Sequence, residues 1–256
     1  MHVIAAGLTN VGLQREHNED SFCLLGEYSL FLVADGMGGH RAGDVASRMA
    51  TAAIAAFFRS SAGEDATWPF HFDTSRSIEE NRLITGIKLA NRHIYDVSNR
   101  SNEHHGMGTT VVGVLFSPEK KRLYVGHVGD SRCYRLRRGE LQLMTRDHSL
   151  INDYLIAMPD LPDEQRDELP RNVITRALGM SDLVTVDLIV ESPEVGDVYM
   201  LCSDGLSSML TAAELAEGIA GAAEGELADT CRSLIGKANE AGGEDNITTV
   251  LVRVEE

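Results

Sequence analysis

Aspartate residues stand at the polar ends of four apolar segments of this chain. They occur in the sequences Val33-Ala34-Asp35-Gly36, His127-Val128-Gly129-Asp130-Ser131, Leu201-Cys202-Ser203-Asp204-Gly205 and Glu244-Asp245-Asn246. Any one of these aspartates could serve only a turn or a helix cap, which are common uses of Asp-Gly and Asp-Asn. If the four strand ends converge on one rim, however, the carboxylates repel one another unless they are protonated or bridged by cations. The pattern therefore favours a site built from carboxylates.

The residue types around these aspartates predict which cations would bind. No Cys-x-x-Cys pair and no His-x-x-x-His pair accompanies them, so an oxygen-only site for Mg²⁺ or Mn²⁺ is favoured over a zinc site. Two such ions about 3.5–4 Å apart lower the pKa of a shared water and clamp an in-line displacement at phosphorus. The chemistry predicted is phosphoester hydrolysis.

A charged run near the N-terminus adds further candidates. Arg15-Glu16-His17-Asn18-Glu19-Asp20 precedes the apolar residues Phe22–Leu25, so it too lies at the entrance of a predicted strand. Runs of this kind are usually solvated loops. The planar guanidinium of Arg15 can nevertheless hold two phosphate oxygens at once, which makes it a candidate phosphate ligand.

Three other routes to phosphate or ester chemistry fail on spacing. The glycine-rich stretch Gly36–Gly43 has neither the Gly-x-Gly-x-x-Gly register nor the Gly-Lys-Ser/Thr ending of nucleotide-binding loops. A cysteine nucleophile would want an arginine six positions later, and none of the four cysteines has one. A serine nucleophile on a Gly-x-Ser-x-Gly elbow is also absent from the sequence.

The elements that must position these residues are short strands interspersed with helices. Strands are predicted at Tyr28–Ala34, Thr109–Phe116, Arg122–Val128, Arg132–Leu136, Val184–Val190, Asp197–Cys202 and Ile247–Val254. Helices are predicted at Gly43–Arg59, Ser77–Ser101, Ala212–Ala220 and Glu226–Ala241. Strands follow one another directly from Thr109 to Thr145, which favours antiparallel meanders. Ser60–Ser77 and the proline-interrupted Ser149–Asn172 are predicted to be irregular.

Composition limits the class of protein and its partners. The chain has 256 residues, 43% of them hydrophobic, and one domain over residues 1–256 is our expectation. Its 39 acidic and 23 basic side chains give a formal net charge of −16, which argues against nucleic acid as a partner. Four widely spaced cysteines favour free thiols, and no signal-like or bilayer-spanning segment is apparent. We therefore expect a cytoplasmic chain without a membrane segment, although it could be one domain of a longer, membrane-anchored protein.

Eight motifs in order along the chain resemble those of the metal-dependent protein phosphatases, the type 2C serine/threonine phosphatases, and in particular their bacterial branch. They are Arg15–Asp20, Val33–His40, Gly106–Thr110, Gly126–Arg132, Thr145–Ser149, Thr175–Gly179, Cys202–Leu206 and Gly243–Thr249. The resemblance spans nearly the whole chain. It implies an α+β fold, a four-layer αββα sandwich in which helix pairs flank two antiparallel β-sheets, with a two-metal centre in a cleft at one end.

The same resemblance implies how the metal centre is built. Asp35 resembles the carboxylate that bridges two Mn²⁺ or Mg²⁺ ions, and Gly36 contributes its backbone carbonyl to one of them. Asp204 and Asp245 resemble the ligands of one ion. Each of these roles is expected because the residue occupies the matching position of a family motif.

Further roles are implied at the edges of this centre. Glu19 and Asp20 resemble ligands of the other ion, directly or through water. Arg15 resembles the clamp on the substrate phosphate, and Asp130 resembles a residue that helps bind a third, weaker ion. The segment of residues 149–172 resembles a flap beside the cleft.

The proton donor is the point at which the sequence departs from many eukaryotic relatives. Those relatives carry a histidine, proposed as the general acid, where this chain has Met37. His40 and a water bound to the metals are the two candidates. His127 and His148 lie in or beside predicted strands and are interpreted as structural.

The resemblance implies a phosphomonoesterase that acts on phosphoserine and phosphothreonine in proteins through a metal-activated water. We expect a monomer that opposes a serine/threonine protein kinase. Two alternatives remain: a regulatory domain of the same fold that binds phosphoproteins with little catalysis, and a two-metal hydrolase of small phosphoesters. Every carboxylate that the motifs require is present, which favours an enzyme.

Overall fold

The fold is that of a computed structural model, which describes residues 1–38, 42–61, 63, 68–162, 165–166, 169–170, 173–223 and 225–256. In these residues the strands are β1 (His2–Asn10), β2 (Asp20–Leu25), β3 (Leu30–Met37), β4 (Gly108–Thr109), β5 (Val111–Ser117), β6 (Arg122–Val128), β7 (Arg132–Arg137), β8 (Glu140–Leu143), β9 (Asp187–Glu191), β10 (Val198–Cys202) and β11 (Ile247–Glu255). The α-helices are α1 (Ala42–Ser60), α2 (Ile78–Arg100), α3 (Leu150–Ala157), α4 (Asp204–Ser207), α5 (Ala212–Ala220) and α6 (Leu227–Glu240).

The strands form two sheets in which every described pairing is antiparallel. One sheet has the strand order β1-β11-β10-β7-β8, and the other has the order β2-β3-β5-β6-β9, with β4 paired to β3. The prediction of two antiparallel sheets is confirmed.

Helices cover the outer face of each sheet, which gives the four layers. On the six-stranded sheet, α1 and α2 bury Phe58 and Ile87. On the five-stranded sheet, α5 and α6 bury side chains such as Leu234. A third apolar cluster, which includes Val33 and Tyr199, fills the space between the two sheets. The sandwich predicted from the sequence is confirmed.

Alternation along β3 explains why its sequence is apolar on both sides. Leu32 packs with the helices and Val33 packs between the sheets, because successive strand residues point to opposite faces. Asp35 lies two residues after Val33 and therefore continues the face between the sheets. Thr248 stands in the same relation to Val250 on β11. The strand pattern thus brings polar side chains to the end of the layer between the sheets.

Helix α3 contradicts the prediction that residues 149–172 are irregular throughout. The helix begins after Ser149, whose Oγ accepts a hydrogen bond from the Asn152 N–H at 3.4 Å. None of its residues is buried, although Leu150, Ile151, Tyr154 and Leu155 lie at helical spacing and form an apolar stripe. The prolines that suggested a loop, Pro159 and Pro162, follow the helix. Residues 163–164, 167–168 and 171–172 lie outside the described part.

Strand β1 was not predicted, and β8 was implied only by the expectation that strands follow one another as far as Thr145. β1 pairs with β11 along its whole length, from His2 opposite Glu255 to Asn10 opposite Ile247. Both are edge strands of the five-stranded sheet. β1 nevertheless contains the apolar run Val3–Leu8, whose side chains pack alternately against the apolar cluster under the helices and the one between the sheets. Among the described helices, none is long and apolar enough to cross a bilayer.

Candidate metal centre

The first two acids of the candidate metal centre, Asp20 and Asp35, are paired in register. Asp20 is the first residue of β2 and stands opposite Asp35 of β3. Opposite residues on antiparallel strands place their side chains on the same face of the sheet. Both acids therefore point into the end of the layer between the sheets, where water is scarce.

Two hydroxyl groups from the other sheet hold the Asp20 carboxylate. Thr248 Oγ1 and Ser203 Oγ donate hydrogen bonds to Oδ2, at 2.6 and 2.8 Å. Oδ1 is buried and has no hydrogen-bond partner among the described residues. Burial raises the pKa of Asp20 to about 7, against the lowering effect of these two hydrogen bonds. One oxygen of this carboxylate is thus oriented and the other is left free for a ligand.

The main influences on the Asp35 carboxylate all oppose its ionisation. Burial raises the pKa of Asp35 well above its ordinary value, and the next causes are the negative charges of Asp20, Asp204, Asp130 and Asp245. Asp35 and Asp204 are close enough to share a hydrogen bond. Such a pair shares a proton in the absence of a cation. The four strand-end aspartates of the sequence therefore converge, as the joint interpretation of the motifs predicts.

Asp204 and Asp130 approach the same space from two further elements. Asp204 is the first residue of α4, directly after β10, and burial followed by the charge of Asp245 raises its pKa. Asp130 lies in the turn between β6 and β7, where burial, followed by the charge of Asp204, raises its pKa to about 7. Each aspartate thus belongs to a different element, and the sandwich brings them to one end.

Asp245 and Arg15 form an ion pair at the mouth of the centre. Arg15 Nη2 lies 2.7 Å from Asp245 Oδ2, and the Arg15 side chain is 54% exposed. The guanidinium is therefore close to the carboxylates yet open to solvent. A cation in this position can contact the phosphate of a bound substrate.

Asn246 fixes the loop that carries Arg15, and sequence reasoning missed it. Its side-chain Nδ2 donates to the carbonyl groups of Val11 and His17, each at 2.9 Å. Its Oδ1 accepts from the Glu19 N–H at 2.7 Å. These bonds attach both ends of the loop to the residue next to Asp245. The signal available in the sequence was the Asp-Asn pair itself, which was interpreted through Asp245 alone.

Glu19 and Gly36 are held together at the N-terminal end of α1. The Gly36 N–H donates to the Glu19 carbonyl at 3.1 Å. A Cβ atom built on Gly43 would lie only 2.7 Å from Glu19 Oε2, so the glycine makes room for this carboxylate. Burial raises the pKa of Glu19, and the charge of Arg15 partly offsets that effect. His40, the candidate proton donor, lies outside the described residues.

The six acids described above form what we call the carboxylate cluster: Glu19, Asp20, Asp35, Asp130, Asp204 and Asp245. A cavity of about 680 Å³ opens beside it, and its lining includes Arg15, Asp130, Asp204 and Asp245. The unpaired Oδ1 of Asp20 and the raised pKa of Asp35 both indicate that the described residues supply too little positive charge to balance these carboxylates. Oxygen ligands in this number fit hard divalent cations such as Mg²⁺ and Mn²⁺.

A second group of possible ligands, His127, His148 and Asp187, is less suited to a metal. Their ligand atoms lie within 4.8 Å of one another. The Gly129 N–H donates to His148 Nδ1 at 3.0 Å, so the ring proton must be on Nε2, the atom that would have to bind a cation. Arg176 Nη1 also lies 2.6 Å from Asp187 Oδ1 and 3.0 Å from Nε2. The guanidinium already supplies the positive charge there.

The chain is similar in sequence and in structure to known phosphatases. Residues 14–238 match the family model of protein phosphatase 2C. The serine/threonine phosphatase stp of Listeria innocua is 37% identical over 248 residues, which cover 95% of this chain and 93% of that protein. The crystal structure of the Mycobacterium tuberculosis serine/threonine phosphatase PstP/Ppp has a TM-score of 0.82 at 33% identity and covers 100% of both chains. A crystal structure of the catalytic domain of the serine/threonine protein phosphatase PstP in complex with two manganese ions has a TM-score of 0.79 at 32% identity, covering 99% of each chain.

Proposed function

This chain belongs to the protein phosphatase 2C family and is a metal-dependent serine/threonine protein phosphatase, and from that premise we propose that the carboxylate cluster holds two Mn²⁺ or Mg²⁺ ions that serve the hydrolysis of phosphoserine and phosphothreonine. The observation that carries the proposal is the meeting of Asp20, Asp35 and Asp204 with too little positive charge around them. Carboxylates are gathered in this way at a cost in stability. Binding of cations would offset that loss of stability.

The residues divide between the two ions according to where each carboxylate lies. Asp35 stands among the other acids and would bridge both ions. Asp204 and Asp245, at the same end of the antiparallel β10–β11 pair, would hold one ion, and Glu19 and Asp20 would hold the other. The carbonyl of Gly36 would add a neutral oxygen. When bound, two such ions polarise the phosphoryl oxygens and acidify the water that attacks phosphorus.

Arg15 would bind the substrate phosphate. Its guanidinium is solvent-accessible and lines the cavity beside Asp204, and its two Nη groups and Nε can form two parallel hydrogen bonds to phosphate oxygens. Such contacts hold the phosphoryl group in line with the attacking oxygen. His40 stays a candidate for protonating the leaving serine or threonine oxygen.

Asp130 would take part in binding a third, weaker ion. It lines the same cavity but is separated along the chain from the other ligands, and its pKa is raised chiefly by burial. An ion held by one protein carboxylate takes most of its coordination from water, which would give a weak site.

The substrates of this phosphatase are phosphoproteins, and we include a serine/threonine protein kinase among them. We further propose a cytoplasmic monomer in which residues 1–256 form one catalytic domain. The segment of residues 149–172 would act as a flap beside the cavity, because Ser149 and Ile151 line the cavity at the start of α3. In that position the flap would contact the protein around the phosphorylated residue.

A comparison of substrates tests this function. The purified protein with Mn²⁺ should release phosphate from phosphoserine and phosphothreonine peptides far faster than from free nucleotides. Equal or faster turnover of nucleotides would instead support a hydrolase of small phosphoesters. Tight phosphopeptide binding without phosphate release would support the binding domain.

A further inference from the structure

His148 holds Gly129 through two hydrogen bonds. Its backbone N–H donates to the Gly129 carbonyl and its ring Nδ1 accepts from the Gly129 N–H, each at 3.0 Å. Gly129 has a φ of +107°, and a Cβ atom there would lie 2.6 Å from the Thr110 side chain. Only glycine fits this conformation and this space. The peptide that precedes Asp130 is therefore fixed by its own geometry and by His148.

The ring of His148 is itself fixed from its other side. Because Nδ1 accepts a hydrogen bond, Nε2 carries the proton and can donate to Asp187 Oδ2 at 3.2 Å. Arg176 Nη1 lies 3.0 Å from Nε2 but directs its hydrogens to Asp187 Oδ1 and the Thr185 carbonyl. Asp187 is in turn bound by Arg176. The His127 ring stacks on His148 with centroids 4.8 Å apart, and His148 is 2% exposed. A ring held in this way keeps one tautomer and one orientation.

The residue before His148 secures the chain on the other side of Asp130. Asp147 accepts a bidentate pair of hydrogen bonds from Arg132, at 3.0 and 2.6 Å. Ser131 Oγ also shares a hydrogen bond with Thr110 Oγ1 at 2.7 Å. Asp147 and His148 thus hold the turn through hydrogen bonds on both sides of Asp130. His148 directly precedes Ser149, the N-cap residue of α3.

We propose that His148 is a positioning residue for Asp130. Its Nδ1 orients the Gly129–Asp130 peptide and thereby sets the affinity of the protein for the third, weakest ion. This role rests on the proposed function, because it takes Asp130 as a ligand of that ion. Hydrogen-bond partners that orient ligands typically change metal affinity about 10–100-fold when they are replaced.

A matched pair of variants separates the acceptor from the rest of the ring. His148→Asn keeps an acceptor at the position of Nδ1, whereas His148→Gln keeps a donor near the position of Nε2 and loses that acceptor. Manganese binding is measured by isothermal titration calorimetry. We expect His148→Gln to weaken the weakest binding event about tenfold or more and to leave the two tighter events unchanged. His148→Asn should stay within about threefold of the wild-type protein.

A double-mutant cycle then tests whether His148 acts through Asp130. In an Asp130→Asn background, His148→Gln should produce no further loss, because the ligand that it orients is already gone. Additive losses would overturn the proposal. So would a wild-type protein that binds only two ions, equal effects of His148→Asn and His148→Gln, or a loss that spreads over all three binding events.

A measurement on the wild-type protein avoids any failure of a variant to fold. With isotope-labelled protein, the amide of Gly129 and the ring nitrogens of His148 are followed by NMR during a titration with Mg²⁺. Both signals should shift in step with the weakest binding event, with His148 protonated on Nε2. Shifts that follow the tighter events, or the opposite tautomer, would refute the positioning role. Phosphopeptide hydrolysis by the wild-type protein is assayed in parallel, so a failed activity assay is distinguishable from a failed positioning role.

Discussion

Asp20 and Asp35 stand directly opposite each other in the β2–β3 pair. Side chains at such positions have Cβ atoms about 4.5–5.5 Å apart, and like charges there destabilise a sheet. The hydroxyl groups of Thr248 and Ser203 stabilise one oxygen of Asp20, but they supply no formal positive charge. The pair is therefore suited to hold a cation and poorly suited to exist as two bare anions.

The metal-free protein should lose stability as the pH rises from about 5 to 7. The folded pKa values of Asp20 and Asp130 are about 7, above the ordinary value of 3.8. Between these values the folded state holds protons that the unfolded state has released. The free energy of unfolding should then fall by about 1.4 kcal/mol per pH unit for each group.

Thermal unfolding in chelator across this pH range measures that trend. Added Mn²⁺ should flatten it, because the cation takes the place of the protons. Asp130→Asn should reduce the slope, since asparagine does not titrate. Stability that stays level or increases between pH 5 and 7 in chelator would contradict the raised pKa values.

Activity should depend entirely on a hard divalent cation. Hydrolysis of a chromogenic aryl phosphate should vanish on chelation and return with Mn²⁺ or Mg²⁺, because the carboxylate cluster offers oxygen ligands. Calcium should bind but support little turnover, since its looser coordination positions the reacting groups less well. Full activity in chelator would rule out a metal-assisted reaction.

Replacing Asp35 by Asn should lower kcat at least about 100-fold, which corresponds to about 2.7 kcal/mol of barrier. The substitution removes the carboxylate proposed to bridge both ions. It also removes a buried negative charge, so in chelator near pH 8 the variant should unfold at a higher temperature than the wild-type protein. Steady-state kinetics and thermal unfolding measure the two effects.

Asp182→Asn is the matched control for that substitution, because Asp182 is an exposed acid outside the cavity beside the cluster. It should change neither the rate nor the stability appreciably. A folded Asp35→Asn variant that keeps more than a tenth of the wild-type rate would show that Asp35 does not bridge the ions.

Arg15→Lys should separate phosphate binding from metal binding. Lysine keeps the charge near Asp245 but loses the planar fork that holds two phosphate oxygens. We expect a lower kcat/KM for phosphopeptides and nearly unchanged manganese affinity by calorimetry. Asp204→Ala provides the contrast, since it should weaken metal binding first. A defect of Arg15→Lys that lies mainly in metal affinity would contradict the assigned role.

Sequence reasoning identified the acids of the carboxylate cluster better than the residues that hold them in place. Asp35 and Asp204 could be found because each follows an apolar strand, and the alternation of side chains then sends them to one end of the sandwich. Thr248 and Asn246 could not be assigned in the same way. Their contacts, to Asp20 and to Glu19, join segments that lie far apart in sequence, and no local pattern encodes such pairings.

A different reason explains why α3 and β1 were not predicted. β1 contains the apolar run Val3–Leu8, and α3 has Leu150, Ile151, Tyr154 and Leu155 on one helical face. Each therefore carried a local signal, which was not used. β1 is ordered by its partner β11, and α3 is bounded by its serine cap and by the prolines that follow.

The pairing of β1 with β11 also sets the order of events during synthesis. Strands whose partners are distant in sequence pair late, because a long loop must close before any contact forms. The acids of β2 and β3 therefore leave the ribosome well before Asp245 and Thr248 are made. An emerging chain that has not reached β11 therefore carries Asp20 and Asp35 without Asp245 and without the hydroxyl group of Thr248. The carboxylate cluster is complete only when β11 has joined the sheet.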